Sequence, residues 1–211
     1  MHSAYQLFER LRSDSSTKDA AKDALIIAND IHEIKKEYYL ILRGISDALQ
    51  TEEGTLRLDF GEIFSLLRTP IEQIASASHK TLSFEVKGRS SFHTDHVCEL
   101  LSVFRNLFTN AVEASKDAQV SIQVTVEDTK DAILCTVTDY GPGITPDALP
   151  QIFDAGFSTK INYETGEISR GLGLNIVKEI VEEGLGGSIQ VSSQPGETCF
   201  FISLPKETLE G

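Results

Sequence analysis

Apolar residues spaced alternately four and three apart define the first long element of the chain. The stretch from Lys18 to about Gln50 contains no Pro, and its only Gly is Gly44. Its apolar residues form a heptad seam, made of Ile27, Ile31, Ile34, Tyr38, Ile41, Ile45 and Leu49. A helix with so narrow an apolar stripe cannot bury it alone. We therefore expect a long helix whose seam is covered by a second helix, from the same chain or from another.

The pattern changes after Glu52-Glu53-Gly54, and we place a domain boundary there, between 1–54 and 55–211. Leu56, Leu58 and Phe60 alternate with polar residues as a short strand does. Further alternating runs predict strands at 82–86, 120–126, 133–137, 189–193 and 199–204. Helical spacing predicts helices at 63–78, 95–115 and 172–183. Strands on one side and helices on the other predict an α+β two-layer sandwich, preceded by the long helix.

Charge and cysteine content limit the partners of the chain. Its 211 residues carry a net charge of −13, which opposes binding to nucleic acid. An anionic nucleotide would need a local device, such as a helix N-terminus or a metal ion. Cys98, Cys135 and Cys199 form no metal-ligand pattern and are expected to be buried free thiols of a reducing cytoplasm. No run approaches a membrane helix, so we expect no membrane contact from this chain itself, although a membrane sensor could precede Met1 in a longer protein.

Two asparagines and a strand-end aspartate are the first candidates for chemistry. Asn106 and Asn110 lie four apart, on one helical face, and amide oxygens suit Mg²⁺, although two polar residues on a solvated helix edge would give the same pattern. Asp139 follows a strand and opens Asp139-Tyr-Gly-Pro-Gly143, where it could accept a hydrogen bond from an exocyclic amine. That segment by itself is also compatible with a plain turn.

A glycine-rich helix start follows a long loop. Gly171-Leu-Gly-Leu174 opens a helix, so its backbone N–H groups would face a phosphate lying over the glycines. The preceding stretch, 152–170, has little helical or strand pattern, and we interpret it as a mobile loop.

In this order, the segments resemble the GHKL family of ATP-binding domains, the Bergerat fold, over about residues 55–205. Asn110 matches the N-box, Asp139-Tyr-Gly-Pro-Gly143 the G1 box, Phe153-Asp-Ala-Gly-Phe157 the F-box and Gly171-Leu-Gly-Leu174 the G2 box. The four motifs follow one another over one domain, which argues against a chance similarity.

The resemblance implies ATP and Mg²⁺ as ligands and a role for each matching residue. Asn110 would hold Mg²⁺, Asp139 the adenine amine, and residues 154–170 would form a lid over ATP. The other implied nucleotide contacts are Asn106, Gly141, Gly143, Phe157, Thr159, Lys160, Gly171, Leu172, Gly173, Leu174 and Thr198.

Position 106 selects a branch of this family. The gyrase, MutL and Hsp90 branches have a water-activating Glu four residues before the metal Asn, and this chain has Asn106. Without that base, hydrolysis is disfavoured. An Asn at this position looks like the histidine kinases, which keep the γ-phosphoryl group for a side chain.

The long helix carries a matching acceptor. Asp30-Ile-His-Glu-Ile-Lys-Lys-Glu37 is similar to the H-box of sensor histidine kinases. His32 follows the seam residue Ile31, so it should lie at the edge of the helical interface. Glu33 could accept the other imidazole proton and favour the nucleophilic tautomer. In isolation a His on an exposed helix edge has no implied function, but the ATP-binding motifs behind it favour the phospho-acceptor interpretation.

Two departures from the family pattern stand out. Lys36 and Glu37 occupy positions where the family often has Thr or Asn and then Pro, which puts phosphatase activity toward a regulator in doubt. Residues 56–86 are needed by the ATP-binding domain, so no second helix of the usual acceptor hairpin fits. Residues 3–13 could supply a short helix in front instead. We therefore predict a homodimer in which two seams meet, either as a two-stranded coil or as a reduced four-helix bundle.

The sequence thus predicts a histidine autokinase whose partner is a response-regulator receiver domain. Segment 1–54 would serve dimerisation and histidine phosphotransfer, and 55–211 would be the catalytic domain. One alternative is a dimeric ATP-binding adaptor or phosphorelay protein without autokinase activity. Another is a serine-directed kinase of the same fold that resembles anti-sigma factors, which the His-bearing helix disfavours.

Overall fold

The computed structural model describes residues 56–157 and 171–210, which belong to the unit Thr55–Gly211. The predicted long helix and the predicted loop after Phe157 lie outside the described residues. The domain boundary after Gly54 therefore stays a prediction.

The first helix begins earlier than the alternating pattern suggested. A two-residue strand, β1 (Leu58–Asp59), leads directly into α1 (Phe60–Ala77). Asp59 Oδ1 accepts a hydrogen bond from the Glu62 backbone N–H, and Glu62 Oε2 accepts one from the Asp59 N–H. This capping box starts the helix at Phe60, so the prediction of Phe60 as a strand residue is wrong. α1 then runs through Pro70 without interruption.

A five-stranded sheet forms one layer, so the predicted layer of strands is present. Its strands are β2 (Thr81–Gly88), β4 (Gln119–Asp128), β5 (Ala132–Asp139), β6 (Ser188–Gln194) and β7 (Glu197–Pro205). Their order in the sheet is β2-β4-β5-β7-β6. β2 pairs parallel with β4, and the other neighbours pair antiparallel. A separate strand, β3 (His93–Thr94), pairs with β1.

Helices form the second layer. α1 packs against α2 (Val97–Ala114), and α2 packs against α3 (Gly173–Lys178). α3 continues into a π-helical turn, Glu179–Gly184, and the chain has a 3₁₀ turn at Leu149–Gln151 and a short α4 at Lys206–Leu209. The predicted α+β two-layer sandwich is confirmed. Among the described residues, no helix is long and apolar enough to cross a bilayer.

Aromatic rings fill the space between the two layers. Phe64 of α1 meets Phe104 of α2 edge to face at 4.8 Å between ring centroids, and Phe84 of β2 meets Phe108 of α2 at 5.1 Å. Both contacts have the tilted geometry that aromatic pairs prefer. These contacts fix α2, which carries the two candidate asparagines, against the sheet.

The cysteines are free thiols, but they differ in burial. Cys135 is buried in the core, and burial raises the pKa of its thiol far above the usual range. Cys98 and Cys199 are only partly buried, so the prediction of burial is wrong for these two. Cys199 lies on the sheet face opposite the helices, because its strand neighbours Thr198 and Phe200 point into the core.

Candidate nucleotide-binding site

Three polar residues form a row across three strands of the sheet. Asp139, the last residue of β5, pairs with Thr198 on β7, and Thr198 pairs with Ser193 on β6. Directly paired residues project from the same sheet face, with Cβ atoms about 4.5–5.5 Å apart. Thr198 is only 3% exposed. The row therefore places a carboxylate and two hydroxyl groups side by side at one end of the face that packs on the helices.

Asp139 is a carboxylate held in a poorly solvated place. Burial raises the pKa of its carboxyl group, and a hydrogen bond from the Gly141 backbone N–H at 3.1 Å opposes that rise. Because one N–H offsets only part of the desolvation, the carboxylate remains a strong acceptor for a donor brought by a ligand. An exocyclic amine, as in adenine, is such a donor.

The glycines after Asp139 let the main chain approach this row closely. A Cβ atom at Gly141 would lie 2.8 Å from Asp139 Oδ1. Gly143 has a φ of +80°, and a Cβ atom there would overlap the carbonyl oxygen of Gln194. Larger residues at these two positions would therefore push the turn away from β6 and from Asp139.

The two predicted asparagines of α2 both border the first residue of α3. Asn106 Nδ2 donates a hydrogen bond to the Ser102 carbonyl oxygen at 2.8 Å, which leaves Asn106 Oδ1 directed at Gly173. A Cβ atom at Gly173 would lie 3.0 Å from Asn106 Oδ1 and 3.8 Å from Asn110 Nδ2. The predicted shared face of the two amides is thus present, and it meets the glycine-rich helix start.

Residues 153–157 and 171–175 are held together by hydrogen bonds. The Gly156 N–H donates to the Gly171 carbonyl oxygen at 3.2 Å. Gly171 has a φ of +59°, and a Cβ atom there would overlap the carbonyl oxygen of Phe157. Asn175 of α3 donates from Nδ2 to the Phe153 carbonyl oxygen at 3.2 Å. The F-box segment is therefore joined to the start of α3 by one main-chain hydrogen bond and one hydrogen bond from a side chain.

The remaining predicted site residues divide into two groups. Leu172 precedes α3 as its N-cap, and the side chain of Leu174 packs partly against the core. His32, Glu33, Thr159 and Lys160 lie outside the described residues, so their roles stay predictions.

Sequence reasoning missed Ser193, which completes the polar row. A signal for it exists in the chain: Pro195-Gly196 is a two-residue turn with a φ of +93° at Gly196, as a type II turn requires. Such a turn pairs Gln194 with Glu197 and then Ser193 with Thr198, which is the register observed. Asn175 was also missed, and its role depends on a tertiary contact that leaves no local pattern.

Residues 98–208, more than half of the chain, match the family described as Histidine kinase-, DNA gyrase B-, and HSP90-like ATPase. The chain belongs to this family, and its described part is an ATP-binding domain of the histidine-kinase type. The resemblance drawn from the four sequence motifs is therefore confirmed.

Similar proteins agree with this assignment. The chain is 32% identical over 205 residues to the sensor histidine kinase GlnK of Bacillus subtilis, covering 96% of this chain and 48% of GlnK. It is 37% identical over 161 residues to the sensor histidine kinase DcuS of Escherichia coli K12, covering 74% of this chain and 28% of DcuS. The catalytic domain of the histidine kinase ThkA superposes with a TM-score of 0.59 at 25% identity, covering 72% of this chain and 97% of that domain. The chain thus spans half or less of these two full-length relatives.

Proposed function

We propose that the chain is a histidine autokinase that transfers the γ-phosphoryl group of ATP to His32. The observation that supports this most directly is the side chain at position 106. There, an amide borders Gly173 and Asn110, where the hydrolysing branches of the family would have a carboxylate. An amide cannot act as the general base that activates water. The γ-phosphoryl group is therefore kept for a side-chain acceptor.

The transfer needs an acceptor nitrogen rather than a catalytic base. A lone pair on a His32 imidazole nitrogen forms the new N–P bond, the bond between the γ-phosphorus and the bridging oxygen breaks, and ADP leaves. Glu33 accepts the hydrogen bond of the other ring nitrogen and so favours the nucleophilic tautomer. Positioning and charge stabilisation supply most of the rate in such transfers.

The side chains around Gly173 carry the type of oxygen atom that Mg²⁺ prefers as a ligand. Amide oxygens are hard ligands, and Asn106 Oδ1 lies on the Gly173 side because Nδ2 of the same amide donates to the Ser102 carbonyl oxygen. We assign the metal-holding role to Asn110, as the family motif implies, with Asn106 beside it. When bound, Mg²⁺ neutralises charge on the phosphate oxygens.

The phosphoryl group would then pass from His32 to an Asp of a response-regulator receiver domain, in a homodimer formed by the heptad seams. GlnK and DcuS are sensor histidine kinases, which supports a signalling role for this chain. A monomer at micromolar concentration in size-exclusion chromatography with light scattering would contradict the dimer.

Labelling with ATP tests the autokinase directly. The protein is incubated with γ-labelled ATP and Mg²⁺, as wild type and as His32→Gln, Asn110→Asp and His93→Gln. His93 is an exposed histidine outside the proposed site and serves as the matched control. We expect a label that is labile in acid and stable in base, lost in the first two variants and kept in His93→Gln.

Three outcomes would contradict the proposal. A label that survives in His32→Gln would mean a different acceptor, and an acid-stable label would indicate a serine-directed kinase. ATP binding without any label would instead favour the adaptor alternative.

A further inference from the structure

Ser193, the third residue of the polar row, is the centre of three hydrogen bonds. Its Oγ accepts from the Ile144 N–H at 2.8 Å, lies 2.9 Å from Thr198 Oγ1, and lies 3.2 Å from the Glu197 carbonyl oxygen, to which it can donate. Ile144 follows Gly143 in the turn after Asp139. One hydroxyl group therefore joins that turn to Thr198.

The number of protons decides which way these bonds run. A serine hydroxyl has one proton to donate and two lone pairs to accept with. The Ile144 N–H takes one lone pair, and the Glu197 carbonyl oxygen can only accept, so all three contacts are satisfied only when the Ser193 proton goes to Glu197. The second lone pair then accepts the Thr198 proton, which satisfies all three contacts at once. The opposite direction between the two hydroxyl groups would leave the Glu197 contact without a proton.

With these bond directions, Thr198 can only accept a hydrogen bond from a ligand. Its only hydroxyl proton is used toward Ser193, so Thr198 Oγ1 offers only lone pairs on its other side. Asp139, paired with Thr198 across the strands, also offers only lone pairs when ionised. The two residues then form a pair of acceptors.

We propose that Ser193 is a positioning residue that makes this pocket select a base with an amine at position six over a base with a carbonyl oxygen there. Adenine brings donor hydrogens to the acceptor pair, whereas hypoxanthine brings a carbonyl oxygen that faces two acceptors and gains no hydrogen bond from them. Ser193 acts through Thr198 and need not touch the nucleotide. The inference rests on the nucleotide site of the proposed function but not on phosphoryl transfer.

Calorimetric binding of ADP and IDP, the hypoxanthine analogue, tests the proposal. In Ser193→Ala the Thr198 proton is released and can serve a carbonyl oxygen. We expect ADP to bind about tenfold more weakly, the size of one or two lost hydrogen bonds, while IDP changes by less than about twofold. The ratio of the IDP dissociation constant to the ADP dissociation constant should therefore fall about tenfold. Ser193→Thr keeps the hydroxyl group and should restore the ratio.

Ser192→Ala is the matched control. Ser192 is the preceding residue of β6, is exposed, and projects from the opposite sheet face. Its removal should leave both dissociation constants unchanged. An equal loss of ADP and IDP binding in Ser193→Ala would overturn the proposal, because it would show that Ser193 only supports the fold. An unchanged ratio would do the same.

Thr198→Val provides a second measurement that does not depend on the folding of Ser193→Ala. This change keeps the shape of Thr198 and removes its hydroxyl group, so it should also lower the ratio. Adding Ser193→Ala to Thr198→Val should then change the ratio no further, and a further fall would contradict action through Thr198.

Failure of the proposed function would have a different signature. An ADP preference that depends on Ser193, in a protein that labels no histidine, would support the present inference and overturn the autokinase. If the wild type bound neither nucleotide, both would be overturned.

Discussion

Gly143 lies so close to Gln194 that a Cβ atom on Gly143 would overlap the Gln194 carbonyl oxygen. This contact holds the turn after Asp139 against β6. The next residue, Ile144, also ties the turn to β6 through its hydrogen bond to Ser193. The polar row of Asp139, Thr198 and Ser193 is thus closed on one side by main chain. A glycine is needed there because of this approach as well as because of its φ of +80°.

Gly143→Ala should move the turn after Asp139 away from the polar row. The added methyl group meets main-chain atoms that cannot rotate away, so the turn must move. We expect ADP to bind at least about tenfold more weakly, since displacement of the turn costs contacts of more than about 1.4 kcal/mol. Isothermal titration calorimetry of the purified protein measures this.

Gly196→Ala separates the clash from the backbone strain. Gly196 has a φ of +93° in the neighbouring turn, but a Cβ atom there would meet nothing within 4 Å. This variant should lose about 1–2 kcal/mol of stability, the cost of a left-handed conformation for a non-glycine residue, with ADP affinity kept within about twofold. Equal losses of affinity in the two variants would show that the contact with Gln194 is not the cause.

Asp139→Asn should weaken ADP binding and stabilise the ligand-free protein. The carboxylate is the charged acceptor of the row, and a hydrogen bond to a charged group contributes about 1.5–3 kcal/mol, so we expect a loss of affinity of about ten- to a hundredfold. The same carboxylate is costly in the free protein, because burial raises its pKa. Replacing it with a neutral amide removes that cost at neutral pH. Calorimetry measures the affinity, and thermal unfolding measures the stability.

The pH dependence of Asp139→Asn follows from the direction of the pKa shift. Between the ordinary pKa of an Asp and the raised pKa of folded Asp139, the folded state binds more protons than the unfolded state, so wild-type stability falls as pH rises through this window. The stability advantage of Asp139→Asn should therefore grow as pH rises from about 4, the ordinary value, and vanish below it. Asp147→Asn, a change at an exposed aspartate, should show no such trend.

The strands were predictable because one sheet face is buried and the other is solvated. Val120, Ile122, Val124 and Val126 of β4 are buried while the residues between them are partly exposed, which is the period-two pattern read from the sequence. The start of α1 was less predictable, because Phe60 continues the alternation of Leu56 and Leu58. The capping hydrogen bonds between Asp59 and Glu62 are what start the helix at Phe60.

The identity of the site residues was predictable from motifs, but their arrangement was not. Asp139 and Thr198 are 59 positions apart, and they become neighbours because β7 lies between β5 and β6 in the sheet. Strands adjacent in sequence often pair, so no local pattern indicates that β7 lies between β5 and β6. The position of Ser193 followed from the Pro195-Gly196 turn only once β6 and β7 were known to form a hairpin.

A cluster around Asp128 joins the C-terminal end of the described chain to the β4–β5 hairpin. Lys206 Nζ lies 2.5 Å from Asp128 Oδ1 and donates to the Thr129 carbonyl oxygen at 2.6 Å. Ser90 Oγ donates to Asp128 Oδ2 at 2.9 Å, and the Lys206 ammonium group lies 5.6 Å from the centre of the Phe92 ring. The hydrogen bonds from Lys206 and Ser90 hold the pKa of the Asp128 carboxyl group below its usual value.

Asp128→Asn should destabilise the domain at neutral pH and lose that effect in acid. The folded pKa of Asp128 is lowered, so its contribution to stability is present above the ordinary pKa of an Asp and is lost as pH falls through the folded pKa. Because the side chain is 26% exposed, solvent screening reduces the contribution, and we expect about 1 kcal/mol at pH 7, or a fall in Tm of about 2–4 °C. Thermal unfolding from pH 7 to pH 3 measures both. Glu127→Gln is the control, because it removes an exposed carboxylate from the adjacent position and should change Tm little at any pH. An equal fall of Tm in Glu127→Gln would mean that net charge causes the effect. That result would contradict a specific role for the cluster.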